Sequence, residues 1–331
     1  MKTGTPSGLW LTRLAIVVAT LPATLMSVAA YAQTAPKFDF AKPEEVKLVQ
    51  WKAQVKAGAL LTSGNSQTKG GTVAGTVSRK AGGNRFAFDA AAAYGQSNNP
   101  TSVVGPDPND PTGMMTPAVL EIGRTSVVST NNWITKARYD RFFTANNSGY
   151  LSAQAAGDKV AGKTFYGGGQ IGYSRQLVAN AVHTAVAEIG YDFSHERYVQ
   201  QPMKTIDPIT IHSARVFVGD QAKLTSETGA TVSLEALFNL NAEDKALNVN
   251  TGMPGVEALH DTRVIGKAGL TTTLAKRLSI GFTFTLKYDQ NPAALPVPPG
   301  TPAGVGFATG FTPFAEKIDT LVEATLIYTF L

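Results

Sequence analysis

The sequence predicts an all-β protein: a transmembrane antiparallel up-and-down β-barrel of about 12 strands. In "LSIGFTFTLKYD" (278–289) every second residue is apolar, and the residues between them are polar or small. Successive side chains of a strand point to opposite faces, so this segment has one oily and one polar face. Short and long connections alternate along the chain, as do the periplasmic turns and outer loops of outer-membrane barrels. The alternative is a soluble β-sandwich, in which oily faces pack against each other.

The first residues of the chain have the features of a secretory signal peptide. Lys2 and Arg13 precede an apolar run, and "AYAQ" supplies a small-residue cleavage pattern before Gln33. Pro22 interrupts the run, which is then short for a membrane anchor helix. The predicted division of the chain is a signal peptide at 1–32, a periplasmic lead-in at 33–49 and a barrel at 50–331.

Composition narrows the function classes. The chain contains no cysteine, so an exported form would have neither disulfides nor thiol chemistry. The formal charge of +5 includes two cations of the signal peptide, and the remaining excess is too small to argue for nucleic acid as a partner. No apolar stretch after the signal peptide is long enough for a membrane helix, so any crossing must use strands.

Twelve segments carry the period-two pattern between turn residues. They are 50–62, 66–79, 84–96, 127–143, 149–160, 164–177, 181–196, 209–224, 229–242, 258–274, 278–290 and 315–330. The even-numbered connections are short, whereas the third, seventh, ninth and eleventh are long and rich in Pro, Gly and Asn. The first connection, "SGN", is short although it lies on the outer side. This alternation favours the barrel, because a sandwich has no reason to collect its long loops at one end.

The predicted faces fit a membrane barrel. Ala and Gly are common on the oily faces. Fluid lipid can fill the space beside such small side chains, whereas the packed core of a sandwich would need bulkier ones. Aromatic residues near strand ends match interfacial girdles. They are Trp51, Tyr94, Phe143, Tyr150, Tyr191, Phe193, Tyr288, Tyr328 and Phe330. Asp220 conflicts with this assignment, because it shares the oily face of Val216 and Val218. A bulge near Gly219 would turn it away from lipid.

Several stretches resemble a known family. "WKAQVKAGALLTSGNSQTKGGTVAGTVSRKAGGNRFAFDA" (51–90), "WITKARYDRFF" (133–143) and "GYLSAQAAGDK" (149–159) resemble the YdiY-like family, described as salt-induced outer-membrane proteins and defined as a domain of unknown function. The closing "LIYTFL" is similar to the last strand by which the barrel-assembly machinery recognises its clients, although Leu331 follows Phe330 here. The resemblance implies an integral outer-membrane barrel with lipid, lipopolysaccharide and that machinery as partners. It implies no reaction.

The sequence offers weak candidates for chemistry. Those for a rim-sited Ser/His/Asp set are Asp192, Ser194, His195, Glu196, His212 and Ser213, and those for a metal site are His195, Glu196 and His212. Strand parity places Asp192 and Ser194 on one face and His195 on the other. "FYGGGQIG" (165–172) lacks the Lys-Ser/Thr and the helix of a phosphate loop, and its glycines are typical of close backbone approach. No catalytic, cofactor or metal site is therefore predicted, and the protein is expected to be non-enzymatic.

The polar faces predict a lumen lined by both signs of charge. The residues assigned to it are Lys52, Lys56, Arg85, Asp89, Lys136, Arg138, Arg215, Glu235, Arg263, Lys267, Lys287 and Asp289, together with the acids Asp140, Glu188, Asp192 and Glu323. Salt bridges that plug a narrow barrel and a small aqueous pore both fit 12 strands, and a narrow or partly occluded lumen is favoured. The expected function is a small-solute channel or an envelope-stress barrel. The alternatives are a rim-sited outer-membrane hydrolase and a periplasmic β-sandwich binding module.

The turn at 275–277 predicts one register in detail. If Leu274 pairs with Leu278, then Leu270 lies opposite Phe282 on the oily face, and Arg263 lies opposite Asp289 in the lumen. Opposite charges at such positions are expected to form an ion pair.

Overall fold

The computed structural model of the chain describes residues 49–62, 67–105, 119–201, 205–296 and 311–330. The predicted signal peptide and nearly all of the lead-in lie outside these ranges. Within them the regular structure consists of β-strands. None of the described segments forms a helix with the length and apolar character needed to cross a membrane.

Twelve of the fourteen strands form one closed antiparallel barrel. The strands are β1 (Gln50–Thr62), β2 (Gln67–Ala81), β3 (Asn84–Gly105), β4 (Val119–Phe142), β5 (Asn147–Asp158), β6 (Lys163–Ala179), β7 (His183–Tyr198), β8 (Ile209–Lys223), β9 (Thr228–Asn239), β10 (Glu243–Leu247), β11 (Pro254–Val256), β12 (Arg263–Ala275), β13 (Leu278–Asp289) and β14 (Ile318–Thr329). Each barrel strand pairs with its neighbour in sequence, except that β9 pairs with β12. The prediction of a 12-stranded up-and-down barrel is confirmed. The sandwich alternative is wrong, because a single closed sheet has no second sheet to pack on.

The two ends of the barrel differ. Short turns at one end lie at residues 82–83, 143–146, 180–182, 224–227 and 276–277. Gly82 allows the tight β2–β3 turn with a φ of +54°, which a side chain would disfavour. We call this end the turn end. The opposite end, which we call the loop end, carries the long connections at 199–208, 240–262 and 290–317.

Two long connections contain more strand than the sequence predicts. β3 and β4 extend into the segment that the sequence predicts to be the third loop. They stay paired with each other as far as Gly105 and Val119. The ninth connection contains the β10–β11 hairpin, whose turn uses Gly252 at a φ of +68°. Period-two alternation is weak in both segments, so the sequence alone indicates loops there.

The apolar faces of the strands lie on the outside of the barrel. On β13 the side chains of Phe282, Phe284 and Leu286 are 49%, 45% and 41% exposed, whereas Thr285 between them is 3% exposed. Val232 and Leu234 on β9 show the same outward exposure. A continuous apolar outer surface of this kind is the feature by which a barrel meets lipid.

Asp220 lies on the outer face without a bulge. The β7–β8 and β8–β9 ladders run through Gly219 in continuous register, so the expected bulge is absent. The residue lies close to the turn end, and its carboxylate contacts His183 Nδ1 at 2.8 Å. Asp220 is therefore kept from lipid by its position near the end of the strand and by its polar partner, and not by a bulge.

The predicted β12–β13 register is confirmed along the strands. Leu270 lies opposite Phe282, and Arg263 lies opposite Asp289. A local irregularity near the turn pairs Ala275, rather than Leu274, with Leu278. The turn is thus one residue tighter than predicted, while the register beyond it is unchanged.

The barrel closes through a short seam between β1 and β14. Only four residue pairs join these strands, from Gln54–Thr329 to Ala57–Leu326. By comparison, β13 and β14 share 11 residue pairs. Beyond Ala57, β1 continues toward the loop end without pairing to β14.

Candidate functional site

A group of buried charges crosses the barrel interior. We call Arg138, Glu188, Arg215 and Glu235 the hub. Arg138 Nη2 lies 2.7 Å from Glu188 Oε1, and Arg215 Nη1 lies 2.7 Å from Glu188 Oε2. Arg215 Nε also donates to Glu235. Because Arg138 is on β4 and Glu188 is on β7, strands that are not neighbours in the sheet, this ion pair spans the lumen instead of running along its wall.

Further side chains hold the hub in place. Arg138 Nη2 also donates to Asp140 at 2.7 Å. The Tyr150 hydroxyl accepts a hydrogen bond of 2.8 Å from Arg215, and the Tyr150 ring centroid lies 4.2 Å from the guanidinium carbon of Arg138. Tyr150 is 3% exposed and lies inside the barrel. Its assignment to an interfacial girdle is therefore wrong.

Glycines in β6 and β7 make room for Tyr150. A Cβ at Gly172 or at Gly190 would stand 2.5 Å from the Tyr150 hydroxyl oxygen, which is closer than real Cβ atoms come. A Cβ at Gly168 would similarly overlap the backbone of Phe193. The expectation that the glycines of 165–172 mark close backbone approach is confirmed at these positions.

A second set of ion pairs lies nearer the loop end. Glu196 accepts from Lys163 Nζ at 2.7 Å, from Arg263 Nη1 at 3.2 Å and from the Tyr198 hydroxyl at 3.0 Å. Among the described residues, Nε and Nη2 of Arg263 have no hydrogen-bond partner. The guanidinium therefore bonds to Glu196 rather than to Asp289, which the register places opposite it.

The loop end is covered by the β10–β11 hairpin, which we call the cap hairpin. Ala246 and Val256 of the hairpin form a buried cluster with Ile209 and Ile211, which lie on the inward-facing positions of β8. Asn291 Nδ2 ties the hairpin to the β13–β14 connection by donating to Leu247 O at 3.1 Å. Apolar burial thus holds the hairpin in the mouth of the barrel.

Asp261 is a buried acid within the loop-end connections. It is 5% exposed, and burial raises its pKa well above the usual range although Arg263 opposes that shift. Its backbone N–H donates to Asn239 Oδ1 at 2.9 Å, which fixes the chain between the cap hairpin and β12.

A cavity of about 290 Å³ occupies the turn-end half of the interior, and we call it the vestibule. Eight residues with hydroxyl groups line its wall. They are Thr72, Thr76, Thr231, Thr271, Ser279, Thr283, Thr325 and Thr329. Lys56, Asp89, Lys267 and Glu323 add two charges of each sign. The vestibule is therefore mixed in polarity, close to neutral overall and small.

The strand pleat places all twelve sequence-assigned lumen residues on inward-facing positions. The hub holds Arg138, Arg215 and Glu235. Lys56, Asp89 and Lys267 line the vestibule. Arg85 Nε lies 3.6 Å from Asp140, and Arg263 bonds to Glu196 while Asp289 lies opposite it. Lys52, Lys136 and Lys287 share the inner faces of β1, β4 and β13. That these side chains line a solute path stays a prediction.

Sequence patterns do not identify four members of these networks. The sequence indicates a girdle position for Tyr150 and a rim position for Glu196, and it indicates no site for Lys163 or Tyr198. Strand parity is the signal that would have found Glu196, since it shares the face of Asp192 and Ser194. Lys163 begins β6, where alternation has only just started.

The rim candidates for chemistry lie on opposite sides of the sheet. Ser194 and Ser213 are buried on the inner face, whereas His195 contacts Thr210 and His212 contacts Tyr191 and Phe193 on the outer face. The structure therefore does not bring a Ser/His/Asp set together there. Within the described part of the chain, no group of three His, Asp or Glu residues is arranged to hold a metal ion.

A closed barrel with a charged, hydrogen-bonded interior and an apolar exterior has the architecture of a transmembrane β-barrel, since its strands pair with a neighbour on both sides except where β1 continues beyond the seam. The profile of the family described as "Protein of unknown function, DUF481" matches residues 55–330. The chain belongs to this family. No curated protein matches the sequence.

Solved structures with a similar fold are bacterial outer-membrane barrels of low sequence identity. The translocator domain of autotransporter NalP from Neisseria meningitidis is 11% identical, with a TM-score of 0.37 over 85% of this chain and 88% of that one. The outer membrane channel DcaP of Acinetobacter baumannii is 10% identical, with a TM-score of 0.34 over 85% and 97%. A Pseudomonas aeruginosa FadL homologue is 11% identical, with a TM-score of 0.33 over 85% and 73%.

Proposed function

We propose that this protein is a non-enzymatic barrel of the bacterial outer membrane whose narrow, partly occluded lumen passes small polar solutes. The apolar outer surface supports a membrane location, with outer-membrane lipid and lipopolysaccharide around it. The resemblance of the last strand supports insertion by the barrel-assembly machinery. A rim-sited hydrolase has less support, because its candidate side chains face opposite sides of the sheet.

The observation that carries the proposal is the Arg138–Glu188–Arg215 bridge across the lumen. Its three residues are at most 9% exposed, so little water reaches them. A solute that passes this level must move or exchange with charged groups that are already paired, which favours small polar molecules over large ones. The cap hairpin narrows the loop end above this bridge, while the vestibule opens below it.

Single-channel recording in planar bilayers tests the proposal. We expect small conductance steps from the full-length barrel. Replacing residues 242–257 by a short Gly-Ser linker removes the cap hairpin and should enlarge the steps. A matched control, Lys245→Gln, changes an exposed charge of the same hairpin and should leave the step size unchanged.

Two outcomes contradict the proposal. Large steps from the unaltered protein would mean that the lumen is not occluded. Silence from both the unaltered and the shortened protein, when each is folded and inserted, would mean that the interior is a plug with no path for solutes.

A further inference from the structure

The vestibule contains two charged groups that have no directly bonded partner among the described residues. Lys56 on β1 and Glu323 on β14 both line it. Neither forms a hydrogen bond or an ion pair with a described residue, and their charged atoms are more than 4.0 Å apart. They are nevertheless close enough to attract each other. A cation and an anion thus face one cavity across a gap too wide for direct contact.

Partly buried charges without a directly bonded partner are costly, so a molecule in the gap that pairs with both groups would stabilise this arrangement. An anion alone would pair with Lys56 and leave Glu323 beside a second negative charge. A cation alone would do the reverse. A molecule that carries both a carboxylate and an ammonium group satisfies both residues at once and adds no net charge to the vestibule.

The rest of the wall fits such a molecule. Thr283 and Thr325 are on the inner faces of β13 and β14, and their hydroxyls can donate to a carboxylate or accept from an ammonium group. The volume of about 290 Å³ lies at the lower end of the range for ligand sites, which restricts the occupant to a small molecule.

We infer that the vestibule binds a small zwitterion of the amino-acid class, with its carboxylate toward Lys56 and its ammonium group toward Glu323. The inference rests on the proposed function in one respect: it names the solute class that enters the lumen from the turn end. Binding itself does not require conduction, so the two proposals can fail separately.

The test is isothermal titration calorimetry of the folded full-length barrel in detergent. The probes are glycine, β-alanine and γ-aminobutyrate, which separate the two charges by increasing lengths, with acetate, methylammonium and glycerol as single-feature controls. We expect one member of the zwitterion series to bind best, and each control to bind about tenfold more weakly or not at all, since a charged hydrogen bond contributes about 1.5–3 kcal/mol.

Variants locate the site. Lys56→Gln and Glu323→Gln should each weaken zwitterion binding about tenfold. The matched controls are Lys52→Gln on the inner face of β1 and Asp319→Asn on that of β14, and both should bind like the unaltered protein. If the vestibule variants do not fold, the probe series on the unaltered protein still decides the matter.

Acetate or methylammonium that binds as tightly as the zwitterions would overturn the inference, as would a zwitterion whose binding both vestibule variants leave unchanged. Binding without conductance in bilayers would uphold this inference and refute the solute path. Conductance without zwitterion binding would uphold the solute path and refute this inference.

Discussion

Arg263 lies directly opposite Asp289 in the β12–β13 ladder, yet its guanidinium donates to Glu196 of β7 at 3.2 Å. Arg263 bonds to Glu196 rather than to Asp289 because Glu196 is the more deeply buried acid. The Glu196 side chain is 3% exposed and also accepts from Lys163 and Tyr198, so its charge is compensated by three donors. Ion pairs across a curved sheet can therefore take precedence over cross-strand pairs.

This relationship predicts unequal effects of two conservative substitutions. Glu196→Gln removes a buried negative charge and leaves the cations Lys163 and Arg263 without the carboxylate to which both are directly bonded, which should cost about 3 kcal/mol of folding free energy. Asp289→Asn removes only a neighbouring charge and should cost less than about 1 kcal/mol. Urea unfolding of the barrel in lipid vesicles, followed by tryptophan fluorescence, measures both.

A double variant distinguishes the energy of the Arg263–Glu196 interaction from the general effect of removing a charge. Arg263→Gln combined with Glu196→Gln should be less destabilising than the sum of the single changes, because the interaction is removed from both sides. Equal effects of Glu196→Gln and Asp289→Asn would mean that Arg263 divides its attraction evenly between the two acids.

Register was predictable here because it depends on local information. A short turn and a period-two pattern restrict how β12 and β13 can pair, and a slip of one residue would put Phe282 and Phe284 inside. The partners across the lumen depend on barrel curvature and on strands far apart in sequence. Arg138 and Glu188 are 50 residues apart, and no local pattern joins them.

Tyr150 and the cap hairpin show the same limit. An aromatic residue beside a turn is typical of an interfacial girdle, and only the glycines of the next two strands create the space that draws Tyr150 inside. The cap hairpin is stabilised by burial against Ile209 and Ile211, which is a tertiary effect. Its sequence alone has too little alternation to predict strands.

The short seam predicts where the barrel opens first. β1 and β14 share four residue pairs, whereas β12 and β13 share 12. Local opening depends on how many interactions must break, so amides of β1 after Ala57 should exchange with solvent faster than those of β12. Hydrogen–deuterium exchange with mass spectrometry measures this, with the β12–β13 peptides as the internal reference.

A disulfide across the seam gives the matching experiment. The register of the seam, if continued, sets Ala59 opposite Ala324, and the chain has no native cysteine to interfere. Oxidised Ala59→Cys/Ala324→Cys should slow exchange in β1, while the reduced form should not. Seam peptides that exchange as slowly as β12 in the unaltered protein would contradict the prediction.

Asp261 predicts a pH dependence of the loop end. Because burial raises its pKa, the folded state binds this proton more tightly than the unfolded state does. Its contribution therefore favours the folded state below about pH 4, the unfolded pKa, and is lost as pH rises through the raised pKa. Arg263 and Lys163 partly offset this loss, whereas Asp289 and Glu196 add to it.

Asp261→Asn should stabilise the loop end at neutral pH and flatten its pH dependence, by about 1.4 kcal/mol for each unit of the raised pKa. Amide exchange of residues 240–262 between pH 5 and pH 8, corrected for the intrinsic rate, provides the measurement. Asp207→Asn, at an exposed position of the β7–β8 connection, is the control and should leave the profile unchanged. A variant that loses protection at neutral pH would show that the Asp261 carboxylate stabilises the loop in its charged form.

The last prediction concerns orientation in the membrane. The cap hairpin is at the loop end and the β12–β13 turn is at the turn end, and Lys245 and Lys276 are exposed at these two places. If long loops face the outside, a membrane-impermeant maleimide added to intact cells should label Lys245→Cys and should not label Lys276→Cys. Both variants should react after the cells are broken, which controls for the accessibility of each site, and the absence of native cysteine removes background labelling. Labelling of Lys276→Cys alone on intact cells would reverse the orientation and would open the vestibule to the outside of the cell.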